Sequence, residues 1–153
     1  MFNKVPSPEI ALLTDYNQCK LQAHSAYMQG QEEQASALYH AAFEINKTLL
    51  LHYPIPQSRL TRSVHACLDC LDFCLSKNGK SVLYYLTETE ALLASIIAGH
   101  HGESLRHDAL QAYAAIIKAA ISFRCELTCA GSKVLMRRLE RVWQANSDLI
   151  NKQ

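Results

Sequence analysis

Glycine and proline are scarce in this sequence, with five and four among 153 residues. So few backbone punctuators argue against long disordered linkers. Charge imbalance is also missing: 15 lysines and arginines face 14 aspartates and glutamates. A net charge of +1 gives no overall field to draw the chain to nucleic acid or to an acidic membrane surface. No stretch approaches 18 uninterrupted apolar residues, so no hydrophobic membrane span is expected. MFNKVPSPEIALL lacks the apolar run and small-residue cleavage site of a secretory signal. A cytoplasmic chain is expected, its six cysteines reduced. Catalytic signatures are absent too: there is no glycine-rich phosphate loop, no G-x-S-x-G turn and no H-E-x-x-H helix. Asp69, Asp72, Glu88 and Glu90 come as isolated helical pairs that read as solvated faces. Neither an enzyme nor a cofactor is expected.

What is present is helical periodicity, cut by short breaks at 29–31, 53–56, 78–80, 99–102 and 130–132. The spacing predicts six helices, over 8–29, 31–52, 57–77, 80–98, 103–129 and 132–150. Pro8 suits the first turn of the first, and Pro54 with Pro56 stops the second. A single domain spanning 1–153 is expected, large enough to bury about 70% of the surface of its unfolded chain.

The breaks repeat. Gly30, Gly79 and Gly131 mark short turns that alternate with wider connections, which predicts three stacked helical hairpins over about 8–52, 57–98 and 103–150. The apolar seam of the first helix, Leu12, Tyr16, Cys19, Ala23 and Ala26, returns 48 residues later as Leu60, Val64, Cys67, Leu71 and Cys74. The same spacing recurs in the fifth helix as Ala109, Tyr113, Ile116, Ala120 and Phe123. The first helices of the three hairpins are therefore expected to be equivalent.

The segment from Tyr16 to Lys47 resembles one tetratricopeptide repeat: Ala23 at the helix contact, Ala26 and Tyr27 near the end of the first helix, Gly30 in the turn, then Ala35, Tyr39 and Ala42. The resemblance covers about a fifth of the chain and implies an all-α, right-handed superhelical stack. In that family the first helices line a groove for a partner's peptide. Asn17, Lys20, His24 and Tyr27 stand at the matching polar positions. The 48-residue offset adds His65, Asp69 and Asp72. The expected function is an adaptor that holds a protein or peptide partner there.

HACLDCLDFC, residues 65–74, offers a competing chemistry. On a helical wheel Cys67, Cys70 and Cys74 share the apolar face, while His65, Asp69, Asp72 and Ser76 lie about 140–200° from Cys67. His65 thus cannot join Cys67 around one ion. Cys67 and Cys74 stand about 10.5 Å apart along the axis, whereas thiolates on one zinc each lie about 2.3 Å from it. A metal or thiol sensor would need Cys67 and Cys70 with Cys19 or Cys125 from a neighbouring helix. Small buried hydrophobes are the plainer reading of Cys19, Cys67 and Cys74. His100, His101, Glu103 and His107 read as a solvated connection rather than a metal set. Lys133, Arg137 and Arg141 form a basic stripe on the last helix, diluted by Glu140 and Asp148. Nucleic-acid contact through it is the third alternative. The apolar fifth helix is explained by packing on several neighbours, with a homodimer contact as the competing reading.

Overall fold

The computed structural model describes residues 7–73 and 79–151, and these are helical without a strand. α1 spans Pro8–Met28, α2 Glu32–His52, α3 Gln57–Phe73, α4 Gly79–Ala98, α5 Glu103–Ser122 and α6 Ala130–Asn146. A short α7, Asp148–Asn151, follows. None of these helices is long and apolar enough to cross a membrane.

Local chemistry sets the early boundaries. The Ser7 hydroxyl accepts from the Ile10 amide at 3.3 Å and Pro8 occupies the first helical turn, so two of the orphan-amide problems of a helix start are met at once. Gly30, at φ 77°, takes the left-handed conformation that closes α1, and the Gln31 amide bonds back to the Ala26 carbonyl at 2.9 Å. Glu32 and Glu33 then sit in the first turn of α2, where the helix dipole favours negative charge.

Later boundaries depart from the periodicity. α5 stops at Ser122, seven residues before its expected end, because the chain turns twice through 123–127. Leu127 lies within about 20° of Ile116 on a continued wheel, so spacing alone extends the helix. In the structure Leu127 instead packs against the core from the connection. Cys125 and Cys129 therefore leave α5: the first sits in the turn and the second is the N-cap of α6. Gly79 and Gly131 lie inside the starts of α4 and α6, and among the described residues Gly30 is the one glycine with a positive φ. The expected end of the third helix at 77, with Cys74, Ser76 and Asn78, lies outside the described residues.

α1 packs on α2, α2 on α3 and α4, α3 on α4 and α5, and α4 on α5 and α6. Most of the seam expected from the repeat is in the core: Tyr16, Ala23, Ala26, Leu60, Cys67, Leu71, Ala109, Tyr113, Ile116 and Ala120 are buried, while Leu12, Cys19, Val64 and Phe123 are partly buried. α3 buries a second stripe, Arg59, Ser63 and Cys70, which meets α2 in antiparallel register. Arg59 donates to the Leu49 carbonyl at 3.5 Å, Asn46 to the Ser63 hydroxyl at 2.8 Å, and the Cys70 thiol to the Tyr39 carbonyl at 3.4 Å.

Glu90 corrects the reading of a solvated face. It is 1% exposed, and its carboxylate accepts from the Tyr113 hydroxyl at 2.9 Å and from Arg138 at 2.8 and 3.2 Å. Three helices, α4, α5 and α6, meet at this one carboxylate. Arg138 is about half exposed, so its removal strands a buried charge. In urea unfolding, Arg138→Ala is expected to cost about 3 kcal/mol. Arg138→Ala combined with Glu90→Gln should cost less than Arg138→Ala alone. Equal losses would contradict a role for the buried charge.

Candidate functional site

The seven expected groove residues lie on α1 and α3, and contacts across these helices keep one register. Glu9 meets Arg59 at 2.7 Å, Lys20 meets Asp69 at 3.3 Å, and the Tyr27 and Phe73 rings meet edge to face at 4.8 Å. The separations in sequence are 50, 49 and 46 residues, so α1 and α3 run parallel near the 48-residue offset. Yet no α-carbon of α1 comes within 8 Å of one in α3. α1 and α3 are therefore joined by side chains alone, and α2 packs on both. Tyr39 of α2 stacks on Phe73 at 4.8 Å.

The three bridges differ in strength. Arg59 is buried and also donates to the Pro54 and Leu49 carbonyls, so the bridge at the N-terminal end of the two helices is fixed. Lys20 and Asp69 are each partly exposed, 33% and 26%, and an ion pair in that setting contributes about 0–1 kcal/mol. Lys20 and Asp69 thus satisfy each other across α1 and α3. Beneath Lys20, 5.7 Å from its Nζ, lies the ring of Tyr16. The Tyr16 hydroxyl is buried and hydrogen-bonds to nothing among the described residues. Burial, helped by the Asp69 carboxylate, pushes its pKa up to about 12.

Asn17, His24 and Asp72 are exposed on the rims. His65 is exposed as well, but it lines the next gap, a cleft of about 230 Å³ between α3 and α5 that also involves Asp108 and Gln111. The structure thus brings Lys20 to Asp69 and Tyr27 to Phe73 across α1 and α3, and sets His65 in the separate cleft between α3 and α5.

Comparison with protein-family models, curated proteins and solved structures gives no match. The site is therefore read from its own geometry.

The competing sites are resolved by burial and direction. Cys67 and Cys70 are buried, and their thiols donate to the carbonyls of Tyr85 and Tyr39. Cys125 is exposed in the turn after α5, and Cys19 is partly buried on α1. Among the described residues no three of His, Cys, Asp and Glu converge as a metal set would. His100 is exposed, while His101 lines a cleft of about 610 Å³ between the ends of α2 and α4, together with His52, Tyr53, Leu92 and Leu105. That cleft carries no periodic signal, because two connections, 53–56 and 99–102, build much of it. Gly99 is required there: a Cβ would stand 2.9 Å from the Ser95 carbonyl and 3.0 Å from the His101 ring. On α6, Lys133, Arg137 and Arg141 are exposed beside Glu140.

Thiol chemistry follows from these environments. Burial pushes the Cys67 thiol up to about 12 from its usual 9.0. Cys129 is exposed at the start of α6, and the Ser132 hydroxyl at 3.3 Å, with nearby amides, holds its pKa below the ordinary value. Alkylation of the native chain near neutral pH, followed by peptide mass spectrometry, should label Cys129 and spare Cys67 and Cys70 until the chain is unfolded. Rapid labelling of Cys67 would contradict the packing. Above pH 9.0 the unfolded chain releases the Cys67 proton that the folded chain keeps. Its share of stability is therefore complete below pH 9.0 and lost towards about 12. Cys67→Ala should flatten the alkaline decline seen in thermal melts, and an unchanged slope would contradict it.

Proposed function

We propose that this chain is a non-enzymatic adaptor, a stack of three helical hairpins similar to a tetratricopeptide fold with lengthened repeats. It holds a peptide or helix of another protein along the face shared by α1 and α3. The observation that carries the reading is the parallel pair α1 and α3, bridged midway by a weak, partly exposed ion pair above a buried, unused hydroxyl. A partner that supplies a carboxylate to Lys20 and a cation to Asp69 replaces this bridge at small cost, since the ions exchange one pairing for another. Opening it brings the Tyr16 hydroxyl within reach of an acceptor such as a main-chain carbonyl. Tyr27, 44% exposed, gives an aromatic edge for an apolar anchor. Asn17, His24 and Asp72 then fix register from the rims, and His65 extends contact towards α5. Concave faces of stacked helices bind extended or helical segments in this manner.

Selection from a displayed peptide library tests it directly. Peptides selected on the wild-type chain should lose about tenfold in affinity with Lys20→Ala or His24→Ala, equivalent to about 1.4 kcal/mol. They should bind unchanged to Lys118→Ala, an exposed lysine on α5 away from the groove. A selection that yields no binders, or binders indifferent to both α1 substitutions, would overturn the proposal.

A further inference from the structure

A second surface is formed by α5 and α6. Between α5 and α6 is a cleft of about 360 Å³, walled by Ile117 and Ile121 from α5 and by Met136 and Trp143 from α6. Ile121 is 51% exposed and Met136 37%. α7 packs on both helices without lining the cleft. Arg137 and Glu140 stand on its α6 side. Arg137 has no hydrogen bond or ion pair among the described residues, and Glu140 accepts only a 3.4 Å bond from Gln144 there.

We infer that this cleft is the contact face of a homodimer, in which a second copy of the chain packs α5 and α6 against α5 and α6 about a twofold axis. In such an isologous contact each residue meets its counterpart reciprocally. With α6 antiparallel to its copy and the axis between Arg138 and Leu139, Arg137 of one copy stands level with Glu140 of the other, twice over. One cation and one anion three residues apart meet that condition, whereas a rim of a single sign would repel its own copy. Ile121, Met136 and Trp143 flank the charges and supply the apolar centre. A standard interface takes about 800 Å² from each partner, under a tenth of the 9174 Å² that the chain exposes. Two adjacent helices about 25–30 Å long present a face of that order. Of the other large exposed apolar residues, Ile10, Leu21, Tyr27, Met28 and Leu51 lie on α1 and α2, while Val134 lies on α6 about 160° around the helix from Met136. The dimer keeps the α1–α3 groove clear of the contact.

Sedimentation equilibrium across the micromolar range is the test. The wild-type chain should approach twice its 17.2 kDa mass. Ile121→Arg should abolish the dimer. Arg137→Glu and Glu140→Arg should each weaken it about tenfold by setting like charges together. The double variant R137E/E140R should recover it, and an equimolar mixture of the two single variants should form the heterodimer. Circular dichroism of each variant checks that these surface changes leave the fold intact. A monomer at every concentration overturns the inference. So does a dimer that survives Ile121→Arg, which would place the contact elsewhere. A dimer sensitive to Ile121→Arg but indifferent to the charge reversals overturns the twofold register.

Discussion

Arg59 is the constraint on which the arrangement of the first three helices depends. Its guanidinium is buried at the N-terminal end of α3, where it donates to carbonyls at the end of α2 and just beyond, and to the Glu9 carboxylate on α1. A buried cation is expensive unless it is paired and hydrogen-bonded. Satisfying it requires the end of α2, the connection at Pro54 and the start of α1 all to be in place. That requirement sets α1 and α3 parallel and in register. With one end pinned, Lys20 reaches Asp69 and Tyr27 reaches Phe73 without close backbone packing between α1 and α3. The face proposed to take a partner thus has a rigid end and a loosely bridged middle.

α3 plays a second part by presenting small polar groups where a purely apolar helix would offer leucine. Ser63 receives a hydrogen bond from Asn46 and donates to the Arg59 carbonyl at 2.9 Å. Cys67 and Cys70 each send a thiol to a carbonyl of a flanking helix. Small side chains allow α2, α4 and α5 to crowd around one helix, and weak donors offset the polar surface that crowding buries. Cys67 and Cys70 make sense in these terms, as buried packing groups, and burial raises the pKa of the Cys67 thiol.

Periodicity made much of this legible. Tyr16, Ala23 and Ala26 are buried as spacing requires, as are Leu71, Tyr113 and Ala120 among their counterparts, while Val64 and Phe123 are partly buried; an offset near 48 residues reappears in the contacts between α1 and α3. Pro8, Gly30 and the Pro54–Pro56 segment mark boundaries because each restricts backbone geometry on its own. The misses have a common physical origin in partners distant along the chain. Glu90 is indistinguishable from a solvated glutamate until Tyr113 and Arg138 are placed beside it. Leu127 continues a helical pattern, and only tertiary packing shows that it enters the core from a turn. The pairing of Lys20 with Asp69 follows from the spacing of α1 and α3, which no local pattern encodes, and the cleft beside His101 joins residues of α2, α4 and α5 to two connections that have no period.

Backbone amide shifts measured by NMR during titration with a groove-selected peptide test the central claim most directly. The account requires the changes to run along Asn17, Lys20, His24 and Tyr27 on α1 and along His65, Asp69 and Asp72 on α3, with α6 unperturbed. Changes concentrated around His52 and His101, or on α5 and α6, with α1 silent, would contradict it.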